Sequence, residues 1–175
     1  DNIVTVNAGY TLGSVDSKIK DCTKPSPNQR QATNYELYTY PTNPEYTIAG
    51  CICTPAYGGN IHEGLFYDSI VRMRVMNSDG NFQWIEGDEF LKFYKGSMGC
   101  FGIITHVTLK IKEAKPTNCI LSSLSVGLAP ACVDVNKPDI AKNYLKKFLK
   151  NISQKSEHSL VVFDMYTNEL TGYGW

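Results

Sequence analysis

Apolar and polar positions alternate most regularly near the middle of the chain. Ile103, Thr105, Val107, Leu109 and Ile111 share one face, and Ile104, His106, Thr108, Lys110 and Lys112 share the other. A period of two predicts a half-buried strand. The loop that feeds it carries glycines at 96, 99 and 102, and on spacing alone such glycines mark a turn. Residues 3–8 alternate in the same way up to Gly9, and Thr11 then caps a short helix whose apolar face is Leu12, Val15 and Ile19. Residues 70–76 predict a further strand, with Val71, Met73 and Val75 facing one way and Arg72 and Arg74 the other. Ser78-Asp-Gly-Asn81 is a hairpin signal answered by a strand over 82–85, and a brief helix follows over 89–94.

Between these elements, residues 22–44 are rich in Pro, Asn, Thr and Tyr and read as an irregular surface excursion. A short apolar run over 46–52 leads into a second glycine-bearing loop, Thr54-Pro-Ala-Tyr-Gly-Gly-Asn60, and on a strand there Cys51 and Cys53 share a face. Beyond Lys115-Pro116 the character changes. A strand is expected over 119–126 and a helix over 138–152, with Pro138 in its first turn. Leu145, Phe148, Leu149 and Ile152 form its apolar stripe, opposite Lys142, Lys146, Lys147 and Lys150, and a last strand follows over 160–165. The expected class is α+β: an antiparallel-rich sheet with flanking helices over 1–115, then the start of a second α+β domain over 116–175.

Composition narrows the function. The chain has 175 residues, 42% hydrophobic and 19% charged, which suits an ordinary globular protein. Its 17 basic and 17 acidic side chains cancel, so electrostatic capture of nucleic acid or of an anionic membrane is not expected. No apolar run has the length of a membrane span. The first residues do not form a signal peptide and do not open on methionine, so a processed or trimmed product is expected. Asn151-Ile-Ser153 is a glycosylation sequon, which leaves a secreted or lumenal form open. The six cysteines, at 22, 51, 53, 100, 119 and 132, contain no CxxC pair, which argues for buried free thiols and against zinc.

Four segments occur in one order: Val6-Asn-Ala-Gly-Tyr-Thr-Leu-Gly-Ser-Val15, Tyr46-Thr-Ile-Ala-Gly-Cys-Ile-Cys-Thr54, Gly64-Leu-Phe-Tyr-Asp-Ser-Ile-Val71 and Gly99-Cys-Phe-Gly-Ile-Ile-Thr-His-Val-Thr-Leu-Lys110. That order resembles the FAD-binding domain of the vanillyl-alcohol oxidase family, also called the type-2 FAD-binding or PCMH domain. The resemblance covers residues 3–112 and corresponds to the latter part of such a domain. It implies an FAD-dependent oxidoreductase acting on an alcohol or sugar-like substrate, with hydride passing to the flavin N5 and a cap domain beyond residue 115. FAD carries a pyrophosphate that backbone amides in glycine loops can meet at close range. By resemblance, Ile48, Gly50, Cys51, Cys53 and Thr54, then Ala56, Gly58, Gly59 and Asn60, run beneath the pyrophosphate and flavin. Gly102, Ile103 and Ile104 offer backbone to the adenine edge.

The departures from the family pattern are specific. Ala49-Gly50 stands where two glycines are usual, bulky Tyr57 precedes Gly58-Gly59, and the first lobe of the domain has no counterpart in the sequence. A separate chain carrying that lobe is one expected partner. The rival expectation is a non-catalytic binding or structural protein that keeps the scaffold. No catalytic base is assigned. His62 stands beside the glycine loop as a candidate flavin neighbour, His106 reads as a packed strand residue, and Asp68 reads as a turn-fixing side chain.

Overall fold

The computed structural model describes residues 2–22, 34–60, 62–114, 126–127, 143, 146–147, 149–151, 154, 159–164 and 169–174. The chain divides into two compact units, one of 1–58 with 62–115 and the other of 59–61 with 116–175.

In the first unit the alternating segments become β1 (Ile3–Asn7), β3 (Ile70–Met76), β4 (Phe82–Glu86) and β5 (Ile103–Glu113), with a short β2 (Tyr35–Leu37). Three helices accompany them: α1 (Leu12–Cys22), α2 (Ile48–Cys53) and α3 (Asp88–Tyr94). A 3-10 turn, Phe66–Ser69, leads into β3. The sheet runs β1-β5-β3-β4, with β2 pairing the far end of β5, and every pairing is antiparallel. β5 is central because it is the longest apolar strand and can satisfy ladders on both edges.

The apolar stripe of α1 (Leu12, Val15, Ile19) is buried as its spacing requires. It shares one core with Ile48, Cys51 and Ile52 of α2, Phe66, Leu91 of α3, and Met73, Val75, Ile104, Val107 and Leu109 of the sheet. Burying each large side chain of this set contributes about 1.5–3 kcal/mol. The opposite face of the sheet is polar, and Thr108 is buried there. Its hydroxyl bonds Thr5 Oγ1 at 2.9 Å and accepts from Arg72 Nε at 3.3 Å. Arg72 also donates to Glu86 at 3.1 Å and lies over the Trp84 ring.

Three expectations need correction. The run at 48–53 is a helix, so Cys51 and Cys53 do not share a face: Cys51 is buried and Cys53 half-buried. On β3 the register steps from Ile70↔Leu109 to Arg72↔Thr108, so Val71 is the extra residue of a bulge. Ile70 therefore joins Met73 and Val75 in the core while Val71 stays half-exposed. On β5 the register steps from Arg74↔His106 to Val75↔Ile104, so Thr105 is the extra residue. This second bulge swaps the faces upstream of it, leaving Ile104 8% exposed and Ile103 61% exposed, the reverse of strict alternation.

In the second unit β6 (Val126–Gly127), β7 (Ser159–Asp164) and β8 (Glu169–Gly174) form an antiparallel sheet in the order β6-β8-β7. Of the helix expected over 138–152, positions 143, 146–147 and 149–151 are helical and exposed, Leu149 among them. The strand expected over 119–126 lies outside the described residues except at Val126, as do Cys119, Cys132 and most of the apolar stripe.

Candidate functional site

The segments quoted above for their sequence pattern converge at one end of the first unit. Ile48 N donates to Tyr10 O and Ala49 N to Ala8 O, both at 2.9 Å, which ties the start of α2 to the turn after β1. Thr47 caps that start, its hydroxyl accepting from Gly50 N at 3.1 Å. At the other end of α2 the glycine loop docks: Gly96 N donates to Ile52 O at 2.8 Å and Met98 N to Cys53 O at 3.0 Å. The helix carbonyls that lack intrahelical donors are thereby met by the loop that feeds β5. Phe66 N donates to Ala56 O at 2.9 Å, which brings in the 64–71 segment.

The glycines of this region answer first to the protein's own packing. Gly102 has φ +124°, and a Cβ there would lie 2.5 Å from Met76 O. A Cβ on Gly58 would lie 2.8 Å from Tyr40 O. Bulky Tyr57 is 72% exposed, so its ring projects away from the packed backbone. Thr54 donates its hydroxyl to Gly50 O at 2.8 Å, closing α2. Gly59 and Asn60 group with the second unit.

The amides of α2 are spoken for: Ile48, Ala49, Gly50 and Cys51 each donate within the chain, to Tyr10 O, Ala8 O, Thr47 Oγ1 and Thr47 O. The edge of β5 differs. The β1 ladder ends at Asn7↔His106, followed by Ala8 N donating to Thr105 O at 2.9 Å. Among the described residues no strand pairs that edge at Ile103 and Ile104. Ile103 on that stretch is itself exposed, as are Met98 and Phe101 of the loop that precedes it.

The titratable groups are mostly structural. Burial pushes the Cys51 thiol up to about 11, which makes it unreactive near neutrality. Asp68 Oδ2 accepts from Leu65 N at 2.9 Å, and Lys95 lies 3.9 Å from its other oxygen, so Asp68 fixes the turn before β3. His106 Nδ1 lies 3.2 Å from Thr105 Oγ1. Sequence reasoning missed a partly buried cluster in which Lys112 pairs with Glu63 and with Glu36. Burial alone would lower the Lys112 pKa, but the two carboxylates outweigh it and hold it above its ordinary value. Sequence reasoning also missed an open groove of about 720 Å³ walled by Phe90, Phe93, Tyr94 and Phe101 beside β4. The available signal was that only Leu91 of α3 falls on its core face, leaving Phe90 and Phe93 outside. Among the described residues no group of three His, Cys, Asp or Glu side chains suits a metal, and no helix is long and apolar enough to cross a membrane.

No family model matches the chain. Over 69 residues it is 35% identical to a D-arabinono-1,4-lactone oxidase of Debaryomyces hansenii and 33% identical to one of Candida albicans. Each match covers 38% of this chain and 12% of the relative. BBE-like 1 of Physcomitrella patens superposes with TM-score 0.52 and 17% identity over 64% of this chain. A single-residue variant of it gives TM-score 0.54 and 18% identity over 66%. The chain spans 23% and 24% of the length of those two structures, and it shares their fold: an antiparallel sheet with flanking helices.

Proposed function

We propose that this chain contributes the second lobe of a type-2 FAD-binding domain, and the opening of a cap domain, to an FAD-dependent oxidoreductase of alcohol or sugar-like substrates. The observation that carries the reading is the docking of the Gly96–Gly102 loop onto the carboxyl end of α2, through Gly96 N to Ile52 O and Met98 N to Cys53 O. It joins the motifs of the resemblance into one surface that ends on the unpaired edge of β5. Two further findings support it: the shared fold with BBE-like 1 and the partial match to lactone oxidases. The oxidase names favour a sugar-derived lactone or its parent alcohol as substrate class.

The residues present fit one end of the cofactor. A backbone edge at Ile103 and Ile104, with the exposed Ile103 side chain beside it, suits a flat apolar heterocycle that hydrogen-bonds along its rim, as adenine does. Gly102 admits the loop to that edge without a side chain in the way. The α2 amides fit the pyrophosphate poorly, because Ala8, Tyr10 and Thr47 already engage them. In this reading the pyrophosphate is met by the first-unit part of the glycine loop, residues 54–58, together with a first lobe, elsewhere in the polypeptide or on a separate chain. When bound, FAD supplies the two-electron acceptor, and this chain supplies position and exclusion of water. The engaged α2 amides favour one alternative, a scaffold retained without cofactor.

The test is a visible flavin spectrum of the purified protein, with intact-mass analysis of every chain present. Flavin absorbance in material that holds both lobes is expected, and Ile103→Lys, which puts a charge on the exposed side chain beside the adenine edge, should reduce bound flavin at least tenfold. Colourless material containing both lobes would sink the enzyme reading and leave the scaffold.

A further inference from the structure

The polar face of the first unit's sheet carries rows of side chains that run straight across the strands. One row is Thr5, Thr108, Arg72 and Glu86, each the register partner of the next, and its neighbour is Asn7, His106, Arg74 and Trp84. Directly opposed residues hold their Cβ atoms about 4.5–5.5 Å apart, so each row is a line of near neighbours. The two arginines are equipped differently. Arg72 donates Nε to Thr108 at 3.3 Å and Nη1 to Glu86 at 3.1 Å, and its guanidinium lies 4.5 Å from the Trp84 ring centroid. The Arg74 guanidinium lies 4.6 Å from the Phe82 ring centroid and, among the described residues, has no acceptor for its N–H groups. Stacking on a ring leaves those in-plane donors available as a fork. Glu86, Arg72, Trp84, Arg74 and Phe82 thus bring two cations and one anion together, with the uncompensated charge at Arg74. The rest of its row also donates. The Thr105 hydroxyl gives its one proton to Arg74 O at 3.1 Å, so His106 Nδ1, 3.2 Å from the same oxygen, must be the donor there. Nε2 is then the ring nitrogen left for a ligand. Asn7 accepts from Gly9 N through Oδ1 at 2.9 Å, which leaves its Nδ2 to donate.

We propose that Asn7, His106 and Arg74 form a binding site for an organic oxyanion, a carboxylate or phosphate monoester carried on a flat apolar group. The Arg74 fork takes two oxygens of the head group, a geometry that suits both classes of anion. His106 adds a charge-assisted bond from Nε2 in its protonated form, which a bound anion favours, and the Asn7 amide closes the far end of the row. No carboxylate stands in the row to compete, because Glu86 belongs to the neighbouring one and is held by Arg72. The apolar group then lies against Met76 and Phe82, the next register couple, where Phe82 is 51% exposed. The site needs no cofactor, so it stands apart from the flavin reading.

The full 175-residue chain is titrated calorimetrically with phenyl phosphate, benzoate, inorganic phosphate and benzyl alcohol. Phenyl phosphate or benzoate is expected to bind at least tenfold more tightly than inorganic phosphate, which has no apolar group, and than benzyl alcohol, which has no charge. The tighter of the two acids identifies the head group. Arg74→Gln should weaken that binding at least tenfold, whereas Lys110→Gln, which removes an exposed cation on the same face outside the row, should leave it unchanged. The wild type reads the site without substitution, because the His106 Nε2 resonance should shift as the acid is added. Failure of both aromatic acids to bind overturns the proposal, as does binding no tighter than that of benzyl alcohol or of inorganic phosphate. Equal losses in Arg74→Gln and Lys110→Gln overturn it too, since they mark diffuse attraction to positive charge. So does binding that leaves the His106 ring unmoved.

Discussion

Gly102 concentrates two demands at one residue: a positive φ, and a Cα beside Met76 O with no room for a methyl. Gly102→Ala is expected to cost about 3 kcal/mol, against about 1 kcal/mol for Gly80→Ala, which has a positive φ of +79° but open space around it. Urea unfolding midpoints of the two variants give the comparison. Lys112 offers a pH test. Its pKa is raised by Glu63 and Glu36 against the effect of burial, so the stability it contributes is fully present below the unfolded value of 10.5 and is lost as pH rises through the higher folded value. Lys112→Met is expected to lower stability at pH 7 by about 1–3 kcal/mol, because Glu63 is left partly buried without its cation. It should also flatten the alkaline limb of the stability profile. Cys51, with its thiol pushed up to about 11, should react with a disulfide reagent at pH 8 only on unfolding, while exposed Cys100 reacts in the native state. A time course with peptide mapping distinguishes them. The roles of Gly102 and Lys112 were not legible from residue type, since each depends on a neighbour far away in sequence, whereas a buried free thiol was expected and holds for Cys51 but not for the exposed Cys22 and Cys100.

Among the elements, those with a long period were legible and those settled by caps and bulges were not. α1 could be read because Leu12, Val15 and Ile19 recur at helical spacing behind Thr11. α2 could not, because six residues that include two isoleucines and two cysteines carry no period, and the intrinsic preference of such residues is for strand. It is helical because Thr47 caps its start, Ala8 and Tyr10 accept its first amides, and the Gly96 loop donates to its last carbonyls. Thr47→Ala should therefore lower stability by about 1 kcal/mol, with Thr47→Ser close to the wild type, as read by thermal unfolding. The bulges at Val71 and Thr105 are equally silent in sequence. A strict period of two places Ile103 inside and Ile104 outside, and a single extra residue reverses them. For the candidate site this decides which isoleucine presents a side chain to a ligand.

For the molecule as a whole, the sheet order puts the chain's last long strand, β5, between β1 and β3, and so gathers segments a hundred residues apart at one end of the first unit. Among the described residues no strand pairs the edge of β5 at Ile103 beyond the end of β1, and that stretch of open backbone carries the cofactor proposal. By itself the sequence determined the α+β class, the antiparallel strands, α1, the hairpin at Ser78–Asn81 and the order of the glycine-bearing segments, because periodicity and turn chemistry are local properties of the chain. Only the tertiary structure decided that α2 is a helix, which side of β5 faces the core upstream of Thr105, that Gly58 and Gly102 are glycines for the sake of Tyr40 and Met76, and which amides remain open. Those outcomes depend on hydrogen bonds and close approaches between residues distant in sequence, which no local pattern records.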